Sequence, residues 1–453
     1  MKSLVDKNIK INTKDRYAYW ALIYLLTFLV FSGYVEFRIV WHIAIIAIGL
    51  LLFKAYPKEC KTLFNSQMIL LNGILISILI LSTIWGNGYS NVLSNVRSML
   101  YSLFSLYIIA IIMIRNDEML FDMLKSRMTF FNVVLILNTI IVAIQAKGTG
   151  FMIKSSWLAS NPYYDDQVAG LFGFNSTNQL GMYTIFVALL NMAYAKYSLK
   201  NQTKKRILIV YTILMIGLMA ILSKYNDNAG YYIVLLLYMG LYLAYDTFFL
   251  TKRSITKFLK VFSYIVLILF TLIVFLNLPV TKAVWDKYLG NRIYVMLHFQ
   301  TAGMTGSNER LYQVAYGLSQ SACWFFGKGF GTAKFIQADA HGFLHFGISS
   351  MGGYIILLGV WFFVFYTIMY SKILSLLTFY KHGKKAIRIV TFIIMVLFSM
   401  YIPVYNDARS VILIGLYSSI FRYMAYENER RVENRNLVRE KQHSRKILSD
   451  EYC

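Results

Sequence analysis

The chain has 453 residues, 58% of them apolar and 15% charged, with a formal net charge of +24. Average soluble domains are about 45–50% apolar, so the expected solvent is the bilayer, and one integral membrane domain replaces the roughly three soluble domains this length would otherwise suggest. The basic residues fall in short clusters between apolar runs rather than on a face interleaved with exposed aromatics, which argues against nucleic acid as a partner.

The first 16 residues are polar and carry five basic groups. They are too long and too charged for an ordinary signal n-region, and no small-residue cleavage site follows the first apolar run. That run is expected to stay as a helix. A hydrocarbon core about 30 Å thick takes about 20 apolar residues. Twelve runs approach that length: 17–34, 39–53, 68–85, 100–114, 129–146, 180–194, 207–222, 230–245, 261–278, 347–370, 389–405 and 411–426. Helices are the expected form, because an open sheet edge cannot satisfy its backbone in lipid. The expected fold class is all-α, a polytopic integral membrane protein of about twelve transmembrane helices. Residues 1–426 form its single transmembrane domain and 427–453 a charged cytoplasmic tail, either solvated helix or disorder.

Lys and Arg test the orientation. Counted on alternate sides, 33 of the 45 fall on the face that carries both termini and 12 on the other. One span more or fewer would invert every later loop and destroy this bias. The reading is a multi-pass protein of the inner or plasma membrane with both termini cytoplasmic. Its external loops are unequal: the third, 145–179, and the fifth, 279–346, are large and the others short. Within the fifth, Leu311, Val314, Ala315, Leu318, Ala322 and Phe325 recur at helical spacing. Asn308 precedes them as a cap, and GKGFG follows. This predicts a helix over 309–325, lying on the membrane surface or packed on the bundle without a chemical role.

Cys60, Cys323 and Cys453 are far apart and show no CxxC spacing, so neither a disulfide framework nor a zinc site is implied. No charged residue falls inside the runs except Arg422 near the end of the last. Ion-coupled transporters usually place charges near midplane, so that class loses weight. His42, flanked by Trp41, reads as an interfacial histidine rather than a proton relay.

The outer face collects the candidates for chemistry. Arg97 enters the fourth run, Lys224 leaves the seventh and Arg409 enters the twelfth, while Arg292, Glu309 and Arg310 lie in the fifth loop. Arg binds phosphate bidentately and Lys as a point charge, so these cations suit a lipid pyrophosphate; each could equally anchor its helix at lipid headgroups. His341 and His345 have the i, i+4 spacing of a metal pair on one helical turn. HGFLH lacks the Glu of HExxH, and no metal site or cofactor is expected. His341 suits a proton acceptor for a sugar hydroxyl, since imidazole titrates near neutrality; the alternative is a structurally bonded loop histidine. Asp165 and Asp166 weakly suggest metal-dependent lipid-sugar glycosyltransferases, whose acidic pairs usually lie in the first external loop, where this chain has only Glu36. Asn178 could cap the next helix or bind a sugar hydroxyl.

Two stretches carry a family resemblance. AGLFGFNSTNQLGMY (169–183) is similar to a G-(T/L)-F-x-N-x-N segment before a mid-chain helix. NERLYQVAYGLSQSACWFFGKGFGTAKF (308–335), followed by DAHGFLHFGISSMGGYIILLG (339–359), resembles the signature of the O-antigen polymerase and O-antigen ligase superfamily. The family commonly has His-Asn where this chain has His341-Gly342, and Arg where it has Lys224. The third loop offers only Lys147 and Lys154, and an RX10G spacing runs from Arg292 to Gly303. The resemblance implies a metal-independent membrane glycosyltransferase that needs no cofactor. It would polymerise undecaprenyl-diphosphate-linked oligosaccharides into a capsule, exopolysaccharide or O-antigen at the outer face. It further implies His341 and Arg310 as catalytic residues, with Lys224, Arg409, Arg97, Arg292, Asn178 and Glu309 around the diphosphate and sugar. Membrane lipid, a flippase and a chain-length regulator are the partners it would bring. The alternatives are ligase-like transfer to another acceptor, a lipid-linked saccharide flippase, against which the long fifth loop counts, and a non-enzymatic assembly component.

Overall fold

The computed structural model describes residues 15–450 except 34–37, 87–88, 90, 154–167, 174–175, 224, 227–228, 251–305, 332–334, 339–341, 346–348, 379–383 and 403. Eleven of the twelve apolar runs coincide with helix, and the ninth, 261–278, lies outside the described residues. The first seven helices are α1 (Arg16–Phe31), α2 (Arg38–Ala55), α3 (Pro57–Leu63), α4 (Ser66–Trp85), α5 (Val92–Arg115), α6 (Asp117–Ser126) and α7 (Met128–Gln145). Then come α8 (Thr177–Tyr197), α9 (Gln202–Leu222), α10 (Ala229–Ala244), α11 (Gly306–Ser319), α12 (Ser350–Leu358), α13 (Val360–Thr378), α14 (Lys384–Tyr401) and α15 (Ala408–Asp450). Five of them, α4, α5, α7, α9 and α13, are long and apolar enough to cross a membrane, and the bent pair α2–α3 makes a sixth if it is one span.

Several boundaries differ from the sequence reading, each for a local reason. Pro57 begins α3 and breaks α2 from it by 105°, because proline supplies no N–H and disfavours helical backbone in the residue before it. The tenth run, 347–370, is two helices rather than one: Gly359, at φ +92°, ends α12 and starts α13. The helix expected over 309–325 instead runs Gly306–Ser319, with a 3-10 turn over Ser321–Trp324 after it. The described fold is all-helical, as expected, apart from one short hairpin. Phe335–Ala338 (β1) and Gly342–His345 (β2) pair antiparallel in register Phe335↔His345 through Ala338↔Gly342. Gly342–His345 is therefore strand rather than the helical turn that the i, i+4 spacing supposes, while His341 lies outside the described residues. The charged tail is the second half of α15, continuous with the last apolar run.

The core is built on α5, α8, α13 and α15. In α5 every residue from Ser105 to Met113 is buried, and α8 is buried almost all round, as expected of helices enclosed by others. In contrast, α4 buries only Met68, Leu71, Leu75 and Ser82 and turns Ile69, Leu70, Ile76 and Ile84 outward. Polar side chains join apolar helices midway: Asn132 of α7 and Asn191 of α8 exchange amide hydrogen bonds of 2.8 and 3.0 Å, and Asn191 also donates to Thr212 of α9 at 3.2 Å.

Helix ends sort into two opposite layers. One layer is ionic. Arg115 bonds Asp15 at 2.8 Å and Glu59 at 3.0 Å, Arg422 bonds Asp117 at 2.8 Å, Lys125 bridges Asp122 and Glu427, and Lys196 meets Asp246. Arg422, the one charge inside a predicted run, lies within α15 but is thereby placed in this ionic layer, against the first residue of α6. The other layer holds the ends of α1, α4, α7, α9 and α14 and the starts of α5, α8 and α15. It carries the candidate site.

Candidate functional site

One half of this layer is a loop held by polar side chains from three segments, α7, the α9–α10 connection and the start of α15. Gly170 and Gly173 adopt φ of +60° and +76°, a region open to glycine at little cost. A Cβ on Gly170 would stand 1.9 Å from Asn138 Oδ1. That closeness lets the α7 amides serve the loop backbone: Leu171 N–H donates to Asn138 Oδ1 at 2.6 Å and Gly170 N–H to Gln145 Oε1 at 2.9 Å. From the α9–α10 connection, Asn226 donates to the Val168 carbonyl at 3.1 Å. From α1, Gly33 lies so close that a Cβ there would stand 1.7 Å from the Phe172 carbonyl oxygen.

Arg409, at the start of α15, closes this collar. Its Nη1 donates to the Phe172 carbonyl at 3.0 Å and its Nη2 to Ser176 Oγ at 2.9 Å, with Nε 3.6 Å from Asp407 Oδ1. The second carboxylate oxygen of Asp407 accepts from Gln179 at 2.7 Å and from the Ser410 N–H and hydroxyl at 2.9 and 2.6 Å. Burial on its own would raise the Asp407 carboxyl. The Arg409 charge and the Ser410 and Gln179 hydrogen bonds outweigh it and hold the group below its ordinary carboxylate range. Gln179 Oε1, Asn138 Nδ2 and Asn226 Oδ1 have no hydrogen-bond partner within the described protein. Three buried amide valences are thus left around one loop, where water or a hydroxyl can take them.

The other half is the glycine-rich turn of GKGFG, seated on the break between α12 and α13. Lys328 N–H donates to the Ile356 carbonyl at 2.7 Å and Gly329 N–H to the Leu357 carbonyl at 3.2 Å. These are carbonyls that the break at Gly359 releases from helical bonding. Gly327 (φ +71°) and Gly359 leave no room for a Cβ against Leu357 and Phe325 backbone atoms, at 2.4 Å in each case. Asn95 of α5 holds the Phe330 carbonyl at 2.8 Å and Ser82 of α4 the Leu357 carbonyl at 2.9 Å. The Lys328 ammonium donates to Tyr316 OH at 2.6 Å and lies 4.8 Å above that ring.

A chain of contacts joins the halves. Helix α11, which carries Arg310, packs on α12 and α14; a Cβ on Gly352 would stand 2.7 Å from Gln313 Cβ. In turn α12 grips the segment before Asp407: Ser350 Oγ accepts from Tyr405 N–H at 3.0 Å, and Tyr354 OH donates to Asn406 at 2.7 Å. The two stretches that carry the family resemblance are therefore linked, through residues 405–409, at one end of the bundle.

The sequence candidates are distributed unevenly over this layer. Arg409 is 11% exposed inside the collar. Arg310 is half-buried on α11, Arg97 is exposed two residues beyond Asn95, and Asn178 is half-buried in the first turn of α8. Since α8 begins at Thr177, its N-cap position belongs to Ser176 rather than to Asn178. Glu309 is placed as an α11 residue. His341, Lys224 and Arg292, with Asp165, Asp166, Lys154 and Asp339, lie outside the described residues. No group of three or more His, Cys, Asp or Glu that could hold a metal occurs among the described residues. Sequence reasoning missed Asn138, Gln145, Asn226 and Lys328. The first two are polar residues in an apolar run, a signal that marks them without naming a partner. No family model matches the chain, and comparison with curated proteins gives no significant match.

Proposed function

We propose that this protein is a membrane glycosyltransferase that polymerises undecaprenyl-diphosphate-linked oligosaccharides into a surface polysaccharide at the outer face of the inner or plasma membrane. The observation that carries the reading is that the 169–183 collar and the 308–331 segment are joined at one end of the bundle through α12 and residues 405–409, so that Arg409, Arg310, Lys328 and the collar amides share one layer. Twelve spans with both termini cytoplasmic belong to the same proposal, supported by the 33 of 45 basic residues on the termini's face.

In this reaction an acceptor sugar hydroxyl attacks the anomeric carbon of the donor. The bond from that carbon to the diphosphate oxygen breaks, and undecaprenyl diphosphate leaves with the electron pair. His341 takes the hydroxyl proton. Arg310, with Lys224, Arg97 and Arg292, stabilises the charge gathering on the diphosphate, an electrostatic role. Asn178 and Glu309 bind sugar hydroxyls. Arg409 acts through the collar, because two of its donors already hold Phe172 and Ser176; it positions the 168–176 loop at the edge of the diphosphate site.

The test is reconstitution of the purified protein in vesicles with a lipid-linked repeat unit. A ladder of multiples of that unit is the expected result. Folded protein that leaves the substrate unchanged overturns the reading, and transfer to a supplied acceptor without lengthening converts it to the ligase alternative.

A further inference from the structure

The outward face of α4 does not stop at the end of the helix. Ile69, Leu70, Ile76, Ile80 and Ile84 are 50–67% exposed along it, and the stripe ends on Trp85, 72% exposed. Trp85 stacks on Phe326 with ring centroids 5.9 Å apart and planes 4° apart. Beside Phe326 in the chain, Phe325 and Trp324 are 63% and 46% exposed, while the α4–α5 connection adds Tyr89 at 67% and the first turn of α5 adds Leu93 at 80%. Aromatic and apolar surface from three segments thus extends a lipid-facing helix at the level of the GKGFG turn.

From this continuity we infer that Trp324, Phe325 and Trp85 form an anchor in the headgroup boundary of the bilayer, and that they fix the depth of the Gly327–Gly331 turn. Two further features fit that occupant. Trp324 satisfies its own indole N–H internally, donating to the Leu318 carbonyl at 3.0 Å, so its ring can face hydrocarbon without an unpaired donor. Amphipathic rings are enriched at this depth, where one end is apolar and the other wet. The anchor also explains why α11 is so polar a helix: GSNERLYQVAYGLS packs on α12 and α14 and leaves membrane contact to the turn after it. The ammonium of Lys328, two residues past Phe326, then stands at phosphate height whatever the substrate of the site proves to be.

The experiment uses full-length variants that keep a single tryptophan, Trp324 or Trp85, with the others replaced by Phe, reconstituted in phosphatidylcholine vesicles. Bromines near the top of the acyl chains are expected to quench both at least twofold more than bromines near the chain ends, with little quenching by aqueous iodide. Strong iodide quenching of Trp324 without quenching by brominated lipid overturns the inference, and added oligosaccharide shifting that emission would make the patch a glycan platform instead. A second probe avoids the multiple Trp replacements: an environment-sensitive dye on Phe325→Cys in a Cys60→Ser, Cys453→Ser background. Blue-shifted emission quenched by the shallow bromines supports the anchor, and water-like emission overturns it. Neither readout depends on glycosyl transfer.

Discussion

Arg409 donates from Nη1 to the backbone carbonyl of Phe172 at 3.0 Å, across 237 residues of sequence. One guanidinium therefore ties the entrance of α15 to a loop that α1, α7 and the α9–α10 connection also hold. Arg409→Ala removes the loop's tie and leaves Asp407 largely buried without its cation, which typically costs about 3–5 kcal/mol for a buried pair; exposures of 11% and 21% put the expectation near the lower end. Arg409→Lys keeps the charge but cannot serve Phe172, Ser176 and Asp407 together, and should lose about half as much. Thermal unfolding in detergent, compared with wild type, reads both.

The pH dependence of the collar follows from the sign of the Asp407 shift. Its folded pKa is lowered, so its stabilising contribution is complete above the unfolded value of about 3.9 and is lost as pH falls through the lower folded value. Wild type and Asp407→Asn should therefore differ by a constant unfolding temperature gap between about pH 5 and 8. That gap should narrow only in strong acid. Narrowing between pH 5 and 8 would mean that another group sets the balance.

Glycine substitutions separate structural turns from bystanders. Gly359→Ala meets both a left-handed φ and the Phe325 carbonyl oxygen at 2.4 Å, and Gly33→Ala meets Phe172 at 1.7 Å. Each should cost at least about 2–3 kcal/mol and lower the yield of folded protein. Gly73 and Gly217 lie within α4 and α9 with nothing within 4 Å of a built Cβ. Alanine there should be neutral or stabilising, by up to about 1 kcal/mol.

The amide pair Asn132–Asn191 invites a double-mutant cycle. Asn191→Leu leaves Asn132 only its bond to the Met128 carbonyl at 2.8 Å and takes a partner from Thr212, and should cost about 1–3 kcal/mol. The Asn132→Leu, Asn191→Leu double variant should cost less than the sum of the singles, with a coupling of about 0.6–1.7 kcal/mol, the range found between membrane helices. Additive losses would show that the two amides do not pair in the bilayer.

What the sequence disclosed follows from the range of the forces involved. Apolar runs near bilayer length became helices, because lipid leaves the backbone no other partner than itself. Pro57 could be read as a break, since its effect is covalent and local. Gly359 could not: GGYIILLGVWFF contains no charged or amide residue, and the contacts that hold the break, Phe325 against Gly359 and Lys328 N–H on the Ile356 carbonyl, come from a segment about 30 residues earlier. Arg409 was legible as a cation at a helix entrance, whereas its partners at Phe172 and Ser176 depend on packing across the bundle. Lys328 was overlooked because its glycine neighbours drew notice as a turn, and its bond to Tyr316 exists only once α11 is in place.

The reaction itself is tested at two cations and one imidazole. If Arg310 stabilises the departing diphosphate, Arg310→Ala should lower polymer formation by roughly 10²–10³-fold, the scale of one lost electrostatic stabiliser, while Arg310→Lys, keeping charge without the bidentate fork, should recover part of it. His341→Ala should lose roughly 10²–10⁴-fold, as expected for a missing general base, and should leave donor binding unchanged. Lys328 sits on a turn fixed by Ile356 and Leu357; if its ammonium also meets the diphosphate as a point charge, Lys328→Ala should cost about tenfold, roughly 1.4 kcal/mol of binding, raising KM more than it lowers kcat. Lys328→Met, which conserves length without charge, should behave like Ala, and Lys328→Arg should restore activity. Each variant is compared at equal amounts of folded protein by size-exclusion profile and unfolding temperature. Wild-type chain length from both Arg310→Ala and His341→Ala would remove these residues from the chemistry and the polymerase reading with them.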